Sequence, residues 1–460
     1  MDATATSPTR QQPGATKLSR IAFETSRLLE FCTQKELTAQ IGHASWDWPL
    51  VVQKELLDNS LDACEEADLA PEIEVMVNGD GIAVSDNGPG IPPRTIDGVL
   101  DYTVRVSSRE AYMAPDRGAQ GNALKTLVAM PFVLSEEDRI GRVDITTGGM
   151  RHEIVFCMDP IRQEPKIERS VRPVENVKTG TVFMLRWPQI ASDIVSEQQD
   201  AFLQLASDFT FLNPHLTLSV DWFGQRTVTE ATSRTWAKWG PSEPTSPHWY
   251  TQEDFERLLA AYIGHDQERG ADRYVRDFIK EFRGLTGTAK QKAVLDSTGM
   301  ARASLSSLAN DGGIDHKAAA NLLAAMKQNS KVVNPSALGV IGKDHLRQRF
   351  TESGCDKKTF HYKKLMDIDE GVPVVIESAF ALFKDEKASR RIITGVNWSG
   401  AIGNPFRSLG GGYDDGLNSL LAEQMVGRHE PVMFLLHCAC ARVRYTDRGK
   451  TNIEISEAGT

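Results

Sequence analysis

The chain alternates polar and apolar residues in several separate places, most clearly just after residue 70. Glu72-Ile73-Glu74-Val75-Met76-Val77 runs into Asn78-Gly79-Asp80-Gly81 and returns through Ile82-Ala83-Val84-Ser85. A period of two buries one face of a strand, and the Asn, Gly and Asp between supply turn residues, so a β-hairpin is predicted. The same alternation predicts strands at Val143-Asp144-Ile145-Thr146, His152-Glu153-Ile154-Val155-Phe156 and Thr181-Val182-Phe183-Met184-Leu185. Residues 18 to about 64 read as helices, the last of them beginning near Leu50. Helices followed by antiparallel strands predict an α+β layer and not a doubly wound parallel sheet.

From about Trp236 the texture changes. Trp236, Trp239, Trp249 and Tyr250 stand among Pro and Ser, which predicts an irregular connection. Helical spacing resumes over 254–282 and 290–328, broken at Gly312-Gly313, and Val333-Asn334-Pro335-Ser336 ends that block. Strands return at 372–380 and 391–397, a helix is expected around 417–426, and 431–443 is a long apolar strand. The expected organisation is a disordered tail at 1–17, a domain of helices on a mixed, mostly antiparallel sheet at 18–225, a linker and helical module at 226–344, and an α/β domain at 345–460.

Composition narrows the class. With 460 residues, 40% hydrophobic and 25% charged, the chain has the makeup of a folded protein of more than one domain. A net charge of −10 argues against bulk affinity for nucleic-acid phosphates, though a local basic patch stays open. No run reaches the about 18–20 apolar residues of a membrane span. The N-terminal stretch, rich in Thr, Ser, Gln and Pro, has no apolar core of a secretory signal. Six scattered cysteines suit a reducing, cytoplasmic setting. Cys438 and Cys440 share one strand face beside His437, but zinc sites want wider spacing and a second ligand pair, so they read as small buried hydrophobes.

Three segments carry candidate chemistry. Glu55, Asp58, Asn59 and Asp62, spaced i, i+3, i+4, i+7, share a helix face, with Leu57, Leu61 and Cys64 opposite. A solvated acidic face is the plain alternative, yet Asn and Asp are poor mid-helix residues. A carboxylate such as Glu55 can activate a water as general base. The Asn59 amide oxygen is a hard ligand suited to Mg²⁺, which leaves Asp58 and Asp62 as supporting or packing residues. Asp86 ends the returning strand, where it can accept from an exocyclic amine such as that of adenine, and Gly88 and Gly90 permit close backbone approach. These two segments together are equipment for Mg²⁺ and ATP. In the third, Arg117-Gly118-Ala119-Gln120-Gly121-Asn122-Ala123-Leu124-Lys125, glycines lead into a helix start, where free N–H groups meet anions; an ordinary loop is the alternative. No segment has Walker spacing.

Together these segments resemble the Bergerat-fold ATPases, which include gyrase-type ATPases, MutL, the ninety-kilodalton heat-shock chaperone and histidine kinases. The resemblance implies Glu55 as the water-activating base, Asn59 as the Mg²⁺ ligand, and Asp86 as the reader of adenine, with Gly88, Gly90 and Ile91 beside it. It also implies a lid over the phosphates from Gly118, Gln120, Gly121, Asn122, Ala123, Leu124 and Lys125, and support of the adenine pocket by Thr181 after Gly180.

Within that family, Glu55-Leu56-x-Asp58-Asn59-Ser60-x-Asp62-Ala63 and Arg117-Gly118-x-Gln120-Gly121 look most like the B subunit of DNA topoisomerase VI, a type IIB enzyme. Residues 333–342 resemble the end of its helix-two-turns-helix module. Val375-Ile376-Glu377 and Gly395-Val396-Asn397 resemble strands of its transducer domain, and Asp447-Arg448-Gly449-Lys450 the loop whose lysine reaches the ATP γ-phosphate. Two departures stand out. Asn122-Ala123 occupy the place of a further lid glycine. Thr460 comes ten residues after Lys450, where that family continues into a long helix docking the DNA-cleaving A subunit, which puts a standard A-subunit partnership in question.

The resemblance implies an ATP-binding and ATP-hydrolysing chain, an ATP-dependent homodimeric clamp acting on DNA with a separate cleavage subunit and using Mg²⁺, away from membranes. The alternatives are a Bergerat-fold ATPase of a DNA-processing or defence complex without topoisomerase activity, and a protein-remodelling chaperone.

Overall fold

The computed structural model describes residues 28–102, 111–117, 123–135, 139–159, 161, 165–175, 179–310, 313–409, 416–446 and 452–454. The N-terminal tail, Gly118 to Asn122 and Lys450 lie outside them.

The first part of the chain forms α1 (Gln34–Ile41), α2 (Trp48–Glu66), β1 (Glu72–Asn78), β2 (Gly81–Asp86), α3 (Pro93–Leu100) and α4 (Ala123–Leu134). It continues through β3 (Ile140–Thr147), β4 (Met150–Met158), β5 (Pro165–Pro173), β6 (Thr181–Arg186), α5 (Ser192–Glu197), α6 (Gln199–Leu212), β7 (Thr217–Trp222) and β8 (Gln225–Thr229). The eight strands make one sheet in the order β5-β4-β3-β6-β2-β1-β7-β8, antiparallel except where β1 runs parallel to β7. The alternation read from the sequence is the alternation of burial. Ile73, Val75 and Val77 of β1 and Phe183 and Leu185 of β6 point into a core closed by α2, α4 and α6. α2 begins at Trp48, two residues before the expected start, with Pro49 in its first turn, where a missing N–H costs no hydrogen bond. Leu57, Leu61 and Cys64 are fully buried, as their spacing implied.

Strands β5 and β7 escape a reading by alternation for different reasons. β5 is an edge strand whose sequence, Pro-Lys-Ile-Glu-Arg-Ser-Val-Arg-Pro, is charged, as edge strands commonly are. β7 is placed by parallel pairing to β1 across a long crossover, which no local pattern encodes.

Between Thr229 and Gln252 there is no helix or strand beyond one turn of 3₁₀ helix, among the described residues. This connection is nevertheless core, because Trp239, Trp249 and Tyr250 are buried with the helices that follow. Those are α7 (Gln252–Glu268), α8 (Val275–Ile279) and α9 (Thr288–Thr298), then the short strands β9 (Ala309–Asn310) and β10 (Gly313–Ile314), then α10 (His316–Gln328) and α11 (Lys343–Glu352).

The C-terminal part holds β11 (His361–Asp369), β12 (Val372–Leu382), β13 (Arg391–Val396), β14 (Ser399–Gly400), α12 (Gly416–Glu423) and β15 (Val432–Cys440). Its sheet runs β11-β12-β15-β13-β14, with β13 and β15 parallel. One face shares a core with the helical module, and α12 covers part of the other. Glu377 of β12 is fully buried, yet its carboxylate accepts from the Ile341 and Gly342 amides at 2.8 and 2.9 Å and from the Tyr362 hydroxyl at 2.7 Å. One buried acid thus ties the end of the helical module to the sheet. Cys438 and Cys440 pair along β12, and burial raises both thiols above their ordinary range.

The hairpin β13–β14 projects from this sheet into the N-terminal domain. A Cβ on Gly395 would sit 2.6 Å from Leu212 Cδ1 of α6, so that approach needs a residue without a side chain. The hairpin turns through Asn397 and Trp398, both with positive φ (50° and 62°), as a tight two-residue hairpin turn demands.

Candidate active site

The two leading sequence segments meet through one hydrogen bond. Ser60, the residue after Asn59 on α2, donates its hydroxyl to Asp86 Oδ2 at 3.2 Å. The other oxygen of Asp86 accepts from the Gly88 amide at 2.9 Å and the Thr181 amide at 3.2 Å. Burial raises the Asp86 carboxyl above its ordinary range, opposed by these three donors. The carboxylate is thereby fixed in orientation at the end of β2.

The turn after Asp86 is held with equal care. Gly90 has φ of 89°, and a Cβ there would lie 2.6 Å from Thr147 Oγ1. That hydroxyl accepts from the Ile91 amide at 2.9 Å and donates to the Gly180 carbonyl at 3.2 Å. Thr147 therefore joins the glycine turn to the Gly180-Thr181 strand opening. Sequence reading missed both Ser60 and Thr147; Ser60 lay within the recognised pattern, and Thr147 directly follows the strand predicted to Thr146, immediately before Gly148-Gly149.

On α2 the four polar residues divide. Glu55 is half-buried and Asn59 exposed, and neither side chain makes a hydrogen bond or ion pair among the described residues. Asp58 and Asp62 instead pack inward. Asp58 Oδ2 lies 2.7 Å from Lys54 Nζ and accepts from the Ser399 hydroxyl at 2.7 Å. Asp62 pairs with Arg117 at 2.7 Å. Of the glycine-rich segment, Ala123 and Leu124 open α4 half-buried. Lys125 is buried, donating to the Asp101 carbonyl at 2.6 Å, with its ammonium 5.7 Å from the Tyr102 ring centre.

Arg117, just before the undescribed stretch, is the centre of a buried ionic cluster. It donates to both oxygens of Glu65 at 2.7 and 2.8 Å and to the side-chain Oδ1 of Asn213 at 2.6 Å. Glu65 also meets Lys238 at 2.8 Å and His215 at 3.0 Å. Burial works against the Glu65 charge, but Arg117 and Lys238 hold its carboxyl well below the ordinary range. Burial pushes Lys238 and His215 down, so the imidazole is neutral and the cluster balances two cations against Asp62 and Glu65. Lys238 lies 5.0 Å from the ring centre of Trp398, and Asn213 donates to the Trp398 carbonyl at 2.9 Å. Asn397 reaches the Asp116 carbonyl at 3.2 Å. The cluster thus joins α2, the connection at Lys238 and the tip of the C-terminal hairpin.

No family model matches the chain. In sequence it is similar to the B subunit of type 2 DNA topoisomerase 6 from Archaeoglobus fulgidus, 26% identical over 174 residues, which are 37% of this chain and 28% of that protein. The like-named proteins of Thermococcus onnurineus and Pyrococcus horikoshii are 32% identical over 126 residues and 33% over 123, covering 22% and 21% of their lengths. The matched stretch is less than a third of each of these relatives. Among solved structures, the N-terminal domain of a DNA repair protein aligns over 91% of this chain and 92% of its own at 12% identity and a TM-score of 0.43. The B subunit of DNA gyrase from Myxococcus xanthus aligns over 94% and 89% at 10% identity and a TM-score of 0.37. The chain is a relative of the topoisomerase VI B subunits, carrying a Bergerat-type layer of helices on a mostly antiparallel sheet.

Proposed function

We propose that this chain binds and hydrolyses ATP as the nucleotide-driven component of a type IIB topoisomerase-like complex. It acts as an ATP-gated homodimeric clamp on DNA, and a separate A-type chain cleaves the strands. The observation that carries the ATP reading is the Ser60–Asp86 hydrogen bond, which sets the open Glu55–Asn59 pair of α2 beside an oriented carboxylate and a turn with glycine at positions 88 and 90. The DNA and partner assignments rest on likeness to the B subunits named above.

The residues fit the nucleotide and its metal. Asp86 has Oδ1 occupied by two backbone amides and Oδ2 by one hydroxyl, so Oδ2 keeps acceptor capacity for an exocyclic amine. The turn at Gly90 leaves no room for a Cβ and brings backbone close to the Thr147–Gly180 wall, as the edge of a planar base requires. The Asn59 oxygen is the hard ligand for Mg²⁺, which when bound supplies charge neutralisation at the phosphates. One turn earlier on the same helix, Glu55 is placed to take a proton from an attacking water. Lys450, outside the described residues, is the group this reading brings to the γ-phosphate from the C-terminal domain.

The test separates these roles. Glu55→Ala should retain ATP binding while hydrolysis falls by roughly 10²–10⁴, and Asp86→Ala should lose preference for ATP over other nucleoside triphosphates. Wild-type hydrolysis in Glu55→Ala refutes the base assignment, and failure of the unmodified chain to bind ATP refutes the whole reading. Decatenation with an A-type protein encoded beside this chain tests the clamp; no ATP-dependent strand passage refutes the topoisomerase part alone.

A further inference from the structure

Lys54, Asp58 and Ser399 form a closed triangle between two domains. Lys54 Nζ lies 2.7 Å from Asp58 Oδ2 and 2.6 Å from Ser399 Oγ, and the Ser399 hydroxyl donates to the same Asp58 oxygen at 2.7 Å. All three are buried, and Ser399 enters from the C-terminal hairpin, 345 residues along the chain from Lys54. The positions on α2 carry the meaning. Lys54 directly precedes Glu55, and Asp58 directly precedes Asn59, so the triangle grips the helix at the two turns that present the open pair.

A contact made only for stability has no need of this chemistry. Around its turn the hairpin meets α6 through apolar close packing, with Gly395 against Leu212 and Gly400 against Leu205 and Phe209, while the Arg391–Asp208 ion pair holds the start of its first strand. A buried ion pair is seldom more stabilising than apolar side chains of the same volume, and its best-attested use is to fix register or to switch. The turn that delivers Ser399 is itself strained, because Trp398 is a bulky residue at positive φ. Strain held at a fully buried tip marks a position defined by the surrounding structure.

We propose that Ser399, through Lys54 and Asp58, is a positioning residue by which the C-terminal sheet sets helix α2 and so places Glu55 against the attacking water. The contact governs hydrolysis and not nucleotide capture, since Asp86 and the Gly90 turn are also held from outside α2, by the Gly88 and Thr181 amides and by the Thr147 hydroxyl. This inference rests on the reading of Glu55 as the base.

The experiment uses the full chain and measures kcat and KM for ATP, with equilibrium binding of a non-hydrolysable ATP analogue. Ser399→Ala should lower kcat on the order of 10-fold, a cost typical of slight misplacement of a reacting group, and leave KM and analogue affinity within about twofold. Ser399→Thr, which keeps the hydroxyl, should restore most of the rate. Lys54→Met should show the same split, and the double variant should lose no more than the worse single one, as residues acting through one contact do. Unchanged kcat in Ser399→Ala, parallel loss of kcat and analogue affinity, or additive losses overturn the proposal while ATP hydrolysis by the unmodified chain stands. If the unmodified chain binds no analogue, or Glu55→Ala hydrolyses at its rate, the underlying reading fails and this inference with it.

Discussion

Glu65→Gln removes one charge from the middle of the buried cluster and keeps the shape of the side chain. The loss is not symmetrical. Arg117 keeps Asp62 at 2.7 Å, but Lys238 loses its one carboxylate partner among the described residues, keeping the Trp239 carbonyl at 3.1 Å and the face of Trp398. Its side chain is 2% exposed, so water cannot take the place of the carboxylate. Breaking a buried pair by removing one partner costs about 3–5 kcal/mol. The expected result at pH 7 is a loss of that size in the first urea transition, followed by tryptophan fluorescence, since Trp236 and Trp398 flank the cluster.

The pH dependence gives a second, independent reading. Arg117 and Lys238 lower the Glu65 carboxyl in the folded state, so its stabilisation is complete above the ordinary value of 4.5 and lost as pH falls through the lowered one. The gap between parent and variant should therefore narrow in acid. It should narrow in alkali too, because burial already lowers Lys238, and a folded lysine with a depressed pKa gains stability as rising pH removes its proton. Adding Lys238→Met to Glu65→Gln should recover much of the loss. A deficit below about 1 kcal/mol at pH 7, the worth of an exposed pair, refutes the reasoning; so does a deficit that stays constant from neutral pH into acid.

Two further outcomes follow from single sites. Gly90→Ala should destabilise by about 2 kcal/mol or more in a thermal melt and weaken ATP binding, because it adds left-handed strain and drives a Cβ against the Thr147 hydroxyl that bonds Ile91 and Gly180; an unchanged melt counts against the tight turn. Burial, opposed by Arg391 at 2.6 Å, raises the Asp208 carboxyl from 3.8 to about 6, so its contribution is full below 3.8 and is lost as pH rises through about 6. Asp208→Asn should flatten that part of the stability profile by up to about 3 kcal/mol, and an unchanged slope in the variant assigns the slope elsewhere.

What could be read from the sequence was local, and what could not was assembled from distant segments. The β1–β2 hairpin, the Asp86 turn and the opening at Thr181 each announce themselves within ten residues, through alternation and turn chemistry. The tryptophans from Trp236 to Trp249 looked like an irregular connection, and they are one, but their burial depends on helices and a sheet up to two hundred residues away. Ser399 and Lys238 carried no signal, because nothing near either residue reveals a partner on α2.

The helix itself shows where the local reading fell short and how it could have gone further. Spacing alone groups Glu55, Asp58, Asn59 and Asp62 on one face. In the fold that face is the overlap of two. At about 100° per residue, Lys54, Asp58, Asp62 and Glu65 form a stripe at i, i+4, i+8 and i+11. All four are engaged in buried ion pairs, and each reaches Ser399, Arg117 or Lys238. Glu55 and Asn59 form the adjoining stripe and remain open. A lone catalytic face would need only the second stripe and would leave Lys54 and Glu65 free to be any helix-forming residue. Two polar stripes beside an apolar one mean a helix with three environments: core, solvent-facing site, and a polar joint to another domain. The joint and the site share consecutive residues, so a displacement felt at Lys54 or Asp58 reaches Glu55 and Asn59 through the rigid helix backbone without any intervening side chain.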